Sequence, residues 1–481
     1  MSRRGFLNSA ALLTSASTIP ALAGARAARA PNIVLIVADD LGIGDLGCYG
    51  QKLIRTPNID RLAAEGLRFT DAYSGCTVCA PSRSVLMTGY HMGHSSVRNN
   101  TGGQSLREND VTLPMLLKQA GYATGGYGKW GLGDRDTPGA PSRKGFDEFF
   151  GYLNQAHAHN YYTPVLVHND DLHPLPANAG GKRGTYSQDV ISGKALAFIE
   201  RNARQPFFCY LPSTIPHWEL LVPEDSFAEY RGKFPERGFS MPASRYADQP
   251  EMRAAYAAMV TRLDREVGRI VDLVRRIGQE RNTLFVFTSD NGNALGILGE
   301  NYFNSSAGFR GHKQNLYEGG IRTPMIARWP GRVPGGATSS LQWSFCDMLP
   351  TLADIAGLAP PKGIDGISMA PTLLGRRQRR APEWLYWELP RWIAKESRFS
   401  GEIPMQAARN GGWKVVRPQP GAPLELYDLR TDPRESKDLA ASEPKILARM
   451  EAFLKSARTP ARSLNVPPTF YWDRFKAQGP P

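Results

Sequence analysis

The sequence predicts an α/β fold in which helices sandwich a large, mostly parallel sheet. Two continuous apolar runs, at 32–38 and 283–288, are typical of strands that are buried on both faces. Segments with helical periodicity alternate with such runs, as they do in parallel α/β sheets. After about residue 360 the pattern changes to short alternating strands, which indicates a small C-terminal α+β subdomain carrying an antiparallel sheet.

Each element follows from a local signal. The run at 32–38 is rich in Val, Ile and Leu, the helix at 113–120 is stopped by Gly121, and apolar residues recur at helical spacing from Tyr256 to Val274. In chain order, the predicted elements are strand 32–38, helix 58–66, helix 113–120, strand 122–127, strand 205–211, helix 251–277, strand 283–288, helix 349–356, strands 412–416 and 424–429, and helix 443–457.

The first thirty residues predict an export signal. Arg3 and Arg4 precede a weakly apolar stretch and several Ala-x-Ala sites, which resembles a twin-arginine signal; a chance Arg pair in a general secretory signal is the alternative. We therefore expect a bacterial protein that the export machinery delivers to the periplasm or outside the cell. No apolar stretch is long enough to predict a stable membrane anchor. The predicted units are 1–30, 31–360 and 361–481.

The charge and the cysteine content limit the classes of function that the chain can have. The net charge of +13 suits an anionic substrate, but no dense basic run is interleaved with aromatic residues, so we expect no nucleic-acid partner. The five cysteines are too scattered for a disulfide framework, and their odd number leaves at least one without an intramolecular partner.

Oxygen-bearing side chains follow both apolar runs. Asp39 and Asp40 come directly after the first, and Asp290 and Asn291 come shortly after the second. Sites in parallel sheets form outside the carboxyl ends of strands, and oxygen ligands are those that Ca²⁺ or Mg²⁺ prefers. An acid after a strand also commonly caps a helix, but two doubled sites favour a metal.

Cys76 and Cys79 have the C-x-x-C spacing of redox pairs and zinc knuckles. No further ligands follow at zinc-finger spacing, and the fold is much larger than a thioredoxin. The continuation from Cys79 reads Cys-Ala-Pro-Ser-Arg-Ser-Val-Leu-Met-Thr-Gly. It matches the signature C-x-P-S-R-x-x-L-x-T-G at every specified position.

With this motif the chain, from residue 31 to about 454, resembles the type I, formylglycine-dependent sulfatases of the arylsulfatase kind, in the alkaline phosphatase superfamily. The resemblance implies an alkaline phosphatase-like fold with the catalytic domain at 31–360. It also implies that a maturation enzyme oxidises Cys79 to formylglycine, whose hydrate is the nucleophile and a metal ligand. One hydroxyl would take the sulfuryl group from the ester, and the other would then expel sulfate by C–O cleavage.

Further residues match the family one by one. Arg83 resembles the arginine that holds the aldehyde hydrate, and Lys129 the lysine that bridges hydrate and sulfate. His217 resembles the histidine beside the leaving oxygen, and Lys313 a second sulfate-binding lysine and general acid. Taken singly, each has an ordinary structural explanation. The implied cofactor is Ca²⁺, with Mg²⁺ as the alternative.

One position departs from the family. Gly131 stands where the common pattern G-K-W-H-L-G has a histidine that helps sulfate elimination, and the sequence resembles a bacterial branch with K-W-G-L-G. We hypothesise that His157 or His159 fills the vacated space, with Asp290 as the fallback base. Alternatively, both histidines only line the substrate pocket. Arg98 is a further candidate for binding substrate.

Two other functions remain open. Formylglycine-dependent phosphonate and phosphodiester hydrolases tend to carry Asp-His where this chain has Asp290-Asn291, so the asparagine favours a sulfatase. A non-catalytic protein that binds sulfated glycans is supported only by Gly131. Exported bacterial relatives often act on polysaccharides, so the expected substrate is a sulfated glycan or small molecule, with a carbohydrate as the favoured class.

Overall fold

The computed structural model describes residues 30–100, 104–241, 246–379, 382–396 and 398–461. The predicted export signal, apart from its last residue, lies outside this part of the chain. Among the described residues, no helix combines the length and apolar character needed to span a membrane.

The strands are listed here in chain order: β1 (Asn32–Ala38), β2 (Leu67–Phe69), β3 (Ala72–Tyr73), β4 (Ala123–Lys129), β5 (Glu148–Tyr152), β6 (Val165–His168), β7 (Asp171–Pro174), β8 (Phe207–Pro212), β9 (Thr283–Ser289), β10 (Met325–Arg328), β11 (Ala337–Ser339), β12 (Trp343–Ser344), β13 (Trp384–Leu389), β14 (Trp392–Ile393), β15 (Arg398–Phe399), β16 (Met405–Asn410), β17 (Trp413–Arg417) and β18 (Glu425–Asp428).

The α-helices follow in the same way: α1 (Pro57–Glu65), α2 (Cys79–Thr88), α3 (Leu113–Gln119), α4 (Ser187–Arg201), α5 (Glu224–Phe227), α6 (Met252–Arg276), α7 (Glu318–Ile321), α8 (Met348–Ile355), α9 (Ala370–Leu373) and α10 (Pro444–Ser456). Every helix and strand predicted from the sequence is present, with ends that differ by at most two residues. The prediction missed the helices α2, α4, α5, α7 and α9 and the strands β2, β3, β5, β6, β7 and β10 to β16.

A ten-stranded sheet forms the centre of the molecule, in the order β11-β2-β10-β9-β1-β8-β4-β5-β6-β7. Its middle, from β9 to β5, is parallel, whereas β10, β6 and β7 join antiparallel. The predicted α/β fold with a mostly parallel sheet is confirmed.

Apolar cores lie on both faces of this sheet. Alternate side chains of β1 point to opposite faces, so Ile33 and Leu35 enter one core while Val34 and Ile36 enter the other. Helices α2, α3 and α8 cover the first face, and α4 and α6 cover the second. This two-sided burial explains why β1 is an unbroken apolar run rather than an alternating one.

The C-terminal region contains the antiparallel sheet β13-β16-β17-β18, with α10 packed on it. The rings of Trp384 in β13 and Phe453 in α10 stack with centroids 4.0 Å apart. The sheet also touches the main domain, because the indole N–H of Trp387 donates to the Ser74 carbonyl across 2.9 Å. The predicted antiparallel subdomain is therefore confirmed, and it packs against the segment that leads into α2.

Candidate active site

Two acidic pairs meet at one edge of the large sheet. β1 and β9 pair in parallel register through their last residues, so the chain leaves both strands at the same place. Asp39 and Asp40 follow β1, Asp290 and Asn291 follow β9, and all four side chains are buried. The Asp40 N–H donates to Oδ1 of Asp290 across 3.2 Å, which fixes the two turns against each other.

Cys79 lies at the centre of this group, as the first residue of α2. Its Sγ is 3.2 Å from Oδ1 of Asp39 and 3.9 Å from Oδ1 of Asp40. The ammonium of Lys313 approaches the same sulfur at 3.5 Å. Because the amino end of a helix favours negative charge, this place suits an anionic substrate as well as a nucleophile.

Three basic side chains face the acids from different parts of the chain. The ammonium of Lys129, at the end of β4, lies 2.7 Å from Oδ2 of Asp39. The ammonium of Lys313 lies 2.7 Å from Oδ2 of Asp40, and Nε2 of His217 lies 3.3 Å from the same oxygen. These residues come from separate segments, and only the folded sheet brings them together.

Arg83 contacts this group from helix α2. It lies one helical turn after Cys79 in α2, so both side chains project from the same face of the helix. Its Nε and Nη2 approach Oδ2 of Asp290 at 2.9 and 2.8 Å, and Nη1 donates to the Lys129 carbonyl. The guanidinium is fully buried and can therefore hold these strand ends in a fixed arrangement.

The carboxyl groups respond differently to this surrounding charge. Burial alone would raise the pKa of Asp39, but Lys129, His217 and Arg83 hold that pKa well below its usual value. Burial raises the pKa of Asp40 despite its contact with Lys313. Burial and the charge of Asp39 raise the pKa of Asp290 to about 7. The positive charges of the basic residues therefore do not balance the negative charges that all three carboxyl groups would carry when ionised.

Asn291 turns its amide oxygen into the site without a partner in the described part of the chain. Its amide nitrogen donates to Asp40 across 2.7 Å and to the Gly292 carbonyl across 2.8 Å. Its Oδ1 is buried and has no hydrogen-bond partner among the described residues. An amide oxygen can accept a hydrogen bond or bind a cation but cannot donate a hydrogen bond. Together with three nearby carboxyl groups it fits a hard divalent cation.

The thiol of Cys79 is not activated. Burial and the charge of Asp39 raise the pKa of this thiol, so the sulfur keeps its proton at neutral pH. A neutral thiol is a poor nucleophile. The position has the surroundings of a reaction centre, whereas the unmodified side chain does not have the reactivity.

Lys313 is brought to the centre by a loop that is tied to the segment before Cys79. The Lys313 N–H donates to the Asn293 carbonyl across 3.0 Å, just after the β9 turn. The next N–H, of Gln314, donates to the Thr77 carbonyl across 3.1 Å, and the Thr77 hydroxyl donates to the Asn315 carbonyl across 2.7 Å. The loop and the residues around Cys79 therefore form one hydrogen-bonded unit.

His157 is held within its own turn. Its Nε2 lies 2.9 Å from the Thr163 hydroxyl and 3.0 Å from the Val165 carbonyl, and its ring packs edge-on against Tyr152. Burial lowers its pKa to about 3. These contacts tie His157 into the turn after β5, and its role as a substitute base stays a prediction.

His159 lies much closer to the centre. Its ring stacks on His217 with centroids 4.1 Å apart, and its Nδ1 bonds with the Tyr246 hydroxyl at 2.7 Å. Burial and the neighbouring His217 lower its pKa well below the usual value, which keeps the imidazole neutral. Its role as a substrate contact stays a prediction.

Arg98 is a structural residue, contrary to the prediction that it binds substrate. All five of its N–H groups are used within the protein: Nε by the Ser95 carbonyl, Nη1 by Glu388 and the Thr459 carbonyl, and Nη2 by the Gly93 carbonyl and the Thr459 hydroxyl. The buried ion pair with Glu388, at 2.9 Å, joins the main domain to β13. No donor is left for a ligand.

Gln155 is one of two residues near this site to which the sequence assigned no role. Its amide nitrogen lies 2.2 Å from the place where a Cβ at residue 131 would stand, so Gln155 occupies the space directly beside Gly131. That a histidine takes over sulfate elimination stays a prediction. Tyr246, which holds His159, was also missed. The sequence alone does not give either residue a role, because each acts through a contact with another segment of the chain.

Known proteins share both the sequence and the fold of this chain. A sequence model of the sulfatase family matches residues 31–358, and one of the C-terminal region of N-sulphoglucosamine sulphohydrolase matches residues 309–459. N-acetylgalactosamine-6-sulfatase from Canis lupus familiaris is 35% identical over 393 residues, which cover 76% of this chain and 70% of that protein. Human arylsulfatase A is 32% identical, covering 88% and 87%.

Among solved structures, that of the protein Ps i-CgsB has a TM-score of 0.76 and 29% identity, covering 94% of this chain and 98% of that chain. The same protein has been solved in complex with k-i-k-neocarrahexaose. Fold and sequence together define a hydrolase of the alkaline phosphatase superfamily. Within it, this chain belongs to the sulfatase family, whose members hydrolyse sulfate esters.

Proposed function

We propose that this chain is an exported bacterial sulfatase that releases sulfate from sulfated carbohydrates, using formylglycine made from Cys79 and a bound Ca²⁺ ion. The observation that carries this proposal is the position of Cys79. Its Sγ lies within 4 Å of two buried carboxyl groups and one ammonium group, at the amino end of a buried helix. An ordinary structural cysteine does not need such surroundings.

The raised pKa of the Cys79 thiol supports the modification. A thiol that keeps its proton is a poor nucleophile even in a charged site. The hydrate of an aldehyde at the same place supplies a hydroxyl nucleophile. The signature from Cys79 to Gly89 is what a maturation enzyme would read, and this partner acts only transiently.

The basic residues have separate tasks in the proposed reaction. Lys129 and Lys313 bind the sulfate group of the ester and offset the charge that develops on its oxygens. Lys313 also donates a proton to the departing alcohol. His217 hydrogen-bonds the bridging oxygen, and Arg83 holds the hydrated residue 79 in place. Both lysines are already fixed by ion pairs of 2.7 Å, so little rearrangement is needed.

The cation site is formed by the oxygens of Asp39, Asp40, Asp290 and Asn291, with residue 79 as a further ligand. When bound, a divalent cation lowers the pKa of an attached hydroxyl and polarises the oxygens of the sulfate. The unpartnered Oδ1 of Asn291 and the uncompensated charge of the acids support this assignment.

The proposed substrate class rests on the relatives and on the charge of the chain. One relative is named for a sulfated amino sugar, and the solved structure of another contains a neocarrahexaose. Export through a signal at 1–30 would give the enzyme access to polysaccharides outside the cytoplasm. A net charge of +13 favours a polyanionic substrate.

The central test is mass spectrometry of the peptide around Cys79, from protein produced together with a maturation enzyme. We expect formylglycine at residue 79 and sulfate release from at least one of the 6-sulfates of N-acetylgalactosamine, galactose and glucosamine, or from sulfated fucose. Cys79→Ala, made in the same way, is the control and should release none. Unmodified thiol in the wild type, or matured protein that is inert on all of these sugars, would refute the proposal.

A further inference from the structure

The space beside Gly131 is occupied by a side chain from elsewhere. Gly131 has φ of +77°, a left-handed conformation that L side chains rarely adopt. A Cβ placed on it would lie 2.2 Å from Nε2 of Gln155 and 3.8 Å from the Cβ of Ala80. The amide of Gln155 therefore fills the volume that a side chain at residue 131 would need, next to the residue that follows Cys79.

The amide of Gln155 is also unpartnered. Both Nε2 and Oε1 are buried, and neither has a hydrogen-bond partner among the described residues. A primary amide offers two donors and an accepting oxygen, and burying them without partners is unfavourable. A buried amide without partners therefore calls for a functional or structural explanation.

Hydrogen bonds hold the backbone around Gln155 in place, so the lack of partners for its amide does not result from a loose loop. The N–H groups of Trp130 and Gly131 donate to the carbonyls of Tyr152 and Leu153 across 2.8 and 2.9 Å. On the other side, the Asn154 amide donates to Asp134 across 3.2 Å and its oxygen accepts the His157 N–H. Gln155 therefore lies between Asn154 and His157, which this hydrogen bond ties together.

We propose that Gln155 is a positioning residue for the nucleophile, and that its amide hydrogen-bonds the hydroxyl groups of hydrated formylglycine at residue 79. This inference rests on the proposed function. The thiol of unmodified Cys79 offers at most a weak hydrogen bond, so the amide gains strong partners only after the modification. An amide cannot take up a proton at neutral pH, so Gln155 orients the hydroxyl groups and leaves proton transfer to other residues.

The matched variant is Gln155→Met, which keeps the length and volume of the side chain but removes its hydrogen bonds. Gln155→Ala, which also removes the volume, shows what filling the space contributes. Gln205→Ala, on an exposed glutamine before β8, is the control. Formylglycine content is measured by mass spectrometry for each protein, so that activities refer to matured enzyme only.

With a sulfated sugar as substrate, we expect Gln155→Met to lower kcat about 100-fold, comparable with the loss of one fixed donor in an oxyanion hole, while KM stays within about twofold. Its melting temperature should equal or exceed that of the wild type, because an unpartnered amide has been replaced by an apolar group. If Gln155 had a purely structural role, kcat would not fall while KM and the melting temperature are retained.

Two outcomes would overturn the inference. If matured Gln155→Met keeps kcat within about twofold of the wild type, Gln155 only fills space. If KM rises and kcat is unchanged, it contacts the sugar instead of residue 79. Failure of the proposed function is distinguishable, because the matured wild type would then release no sulfate from any sugar.

Discussion

A buried lysine that joins the C-terminal sheet to the catalytic domain gives the sharpest stability prediction. Lys414 of β17 is fully buried, with its ammonium 2.9 Å from Glu318 and 2.8 Å from Glu435. Glu318 begins α7, only five residues after Lys313. Glu435 also accepts the Glu318 N–H across 2.7 Å, so all three groups form one buried unit.

Lys414→Met should cost about 3 kcal/mol of unfolding free energy, at the low end of the 3–5 kcal/mol typical of breaking a buried ion pair. The low end applies because Glu318 keeps Arg322 at 2.6 Å and the Tyr73 hydroxyl at 2.8 Å. Glu435 has no such replacement, and burial already raises its pKa to about 7. The double variant Lys414→Met/Glu435→Gln removes the remaining repulsion and should recover most of the loss.

Urea unfolding at pH 8, followed by circular dichroism, measures these differences. Lys437→Met, at an exposed lysine, is the control and should change the unfolding free energy by less than about 0.5 kcal/mol. A loss below about 1 kcal/mol for Lys414→Met, or a double variant that is less stable than the single one, would refute the reasoning.

Three further predictions concern pH, a corrected assignment and the cation. Burial raises the pKa of Glu266 from 4.5 to about 8, so the folded state keeps a proton that the unfolded chain loses, and stability falls as pH rises between these values. Glu266→Gln should nearly match the wild type in thermal unfolding at pH 4.5 and exceed its stability by about 4.5 kcal/mol at pH 8.5, because each pKa unit corresponds to about 1.4 kcal/mol. No difference at the higher pH would contradict this. Arg98→Met should lose about 2–3 kcal/mol of stability, because Glu388 is left buried with one partner fewer, while KM for a sulfated sugar is unchanged; a rise in KM at unchanged stability would restore the assignment as a substrate residue. Adding Ca²⁺ at about 100 times its Kd to chelator-treated protein should stabilise it by about 2.7 kcal/mol in a thermal-shift assay, whereas Asp40→Asn should show less; equal shifts would exclude this site.

Much of the fold was predictable because its signals are local. An unbroken apolar run such as 32–38 can only be buried on both faces, which requires a covered parallel strand. The acids after two such runs were expected to meet, because the carboxyl ends of parallel strands share one edge of the sheet. The register of β1 with β9 places them together as this argument requires.

What the sequence could not determine were the partners of individual side chains. Arg98 and Glu388 are 290 residues apart, so nothing near Arg98 indicates that its donors are already used. His157 carries the same type of side chain as His159 two positions later, yet one bonds within its own turn and the other stacks on His217. The sequence assigns no role to Gln155, and only the left-handed backbone at Gly131 and the short distance between the two segments reveal its position.

The sequence by itself thus determined the alternation of strands and helices, the oxygen-rich strand ends and the motif at Cys79, because each depends on residues that are neighbours along the chain. The tertiary structure alone decided which charges face one another, which basic groups are already satisfied, and which side chain occupies the space at Gly131. Those depend on distances of a few ångströms between segments far apart in sequence. Hydrogen bonds and ion pairs weaken steeply over such distances, so only the packed fold fixes them.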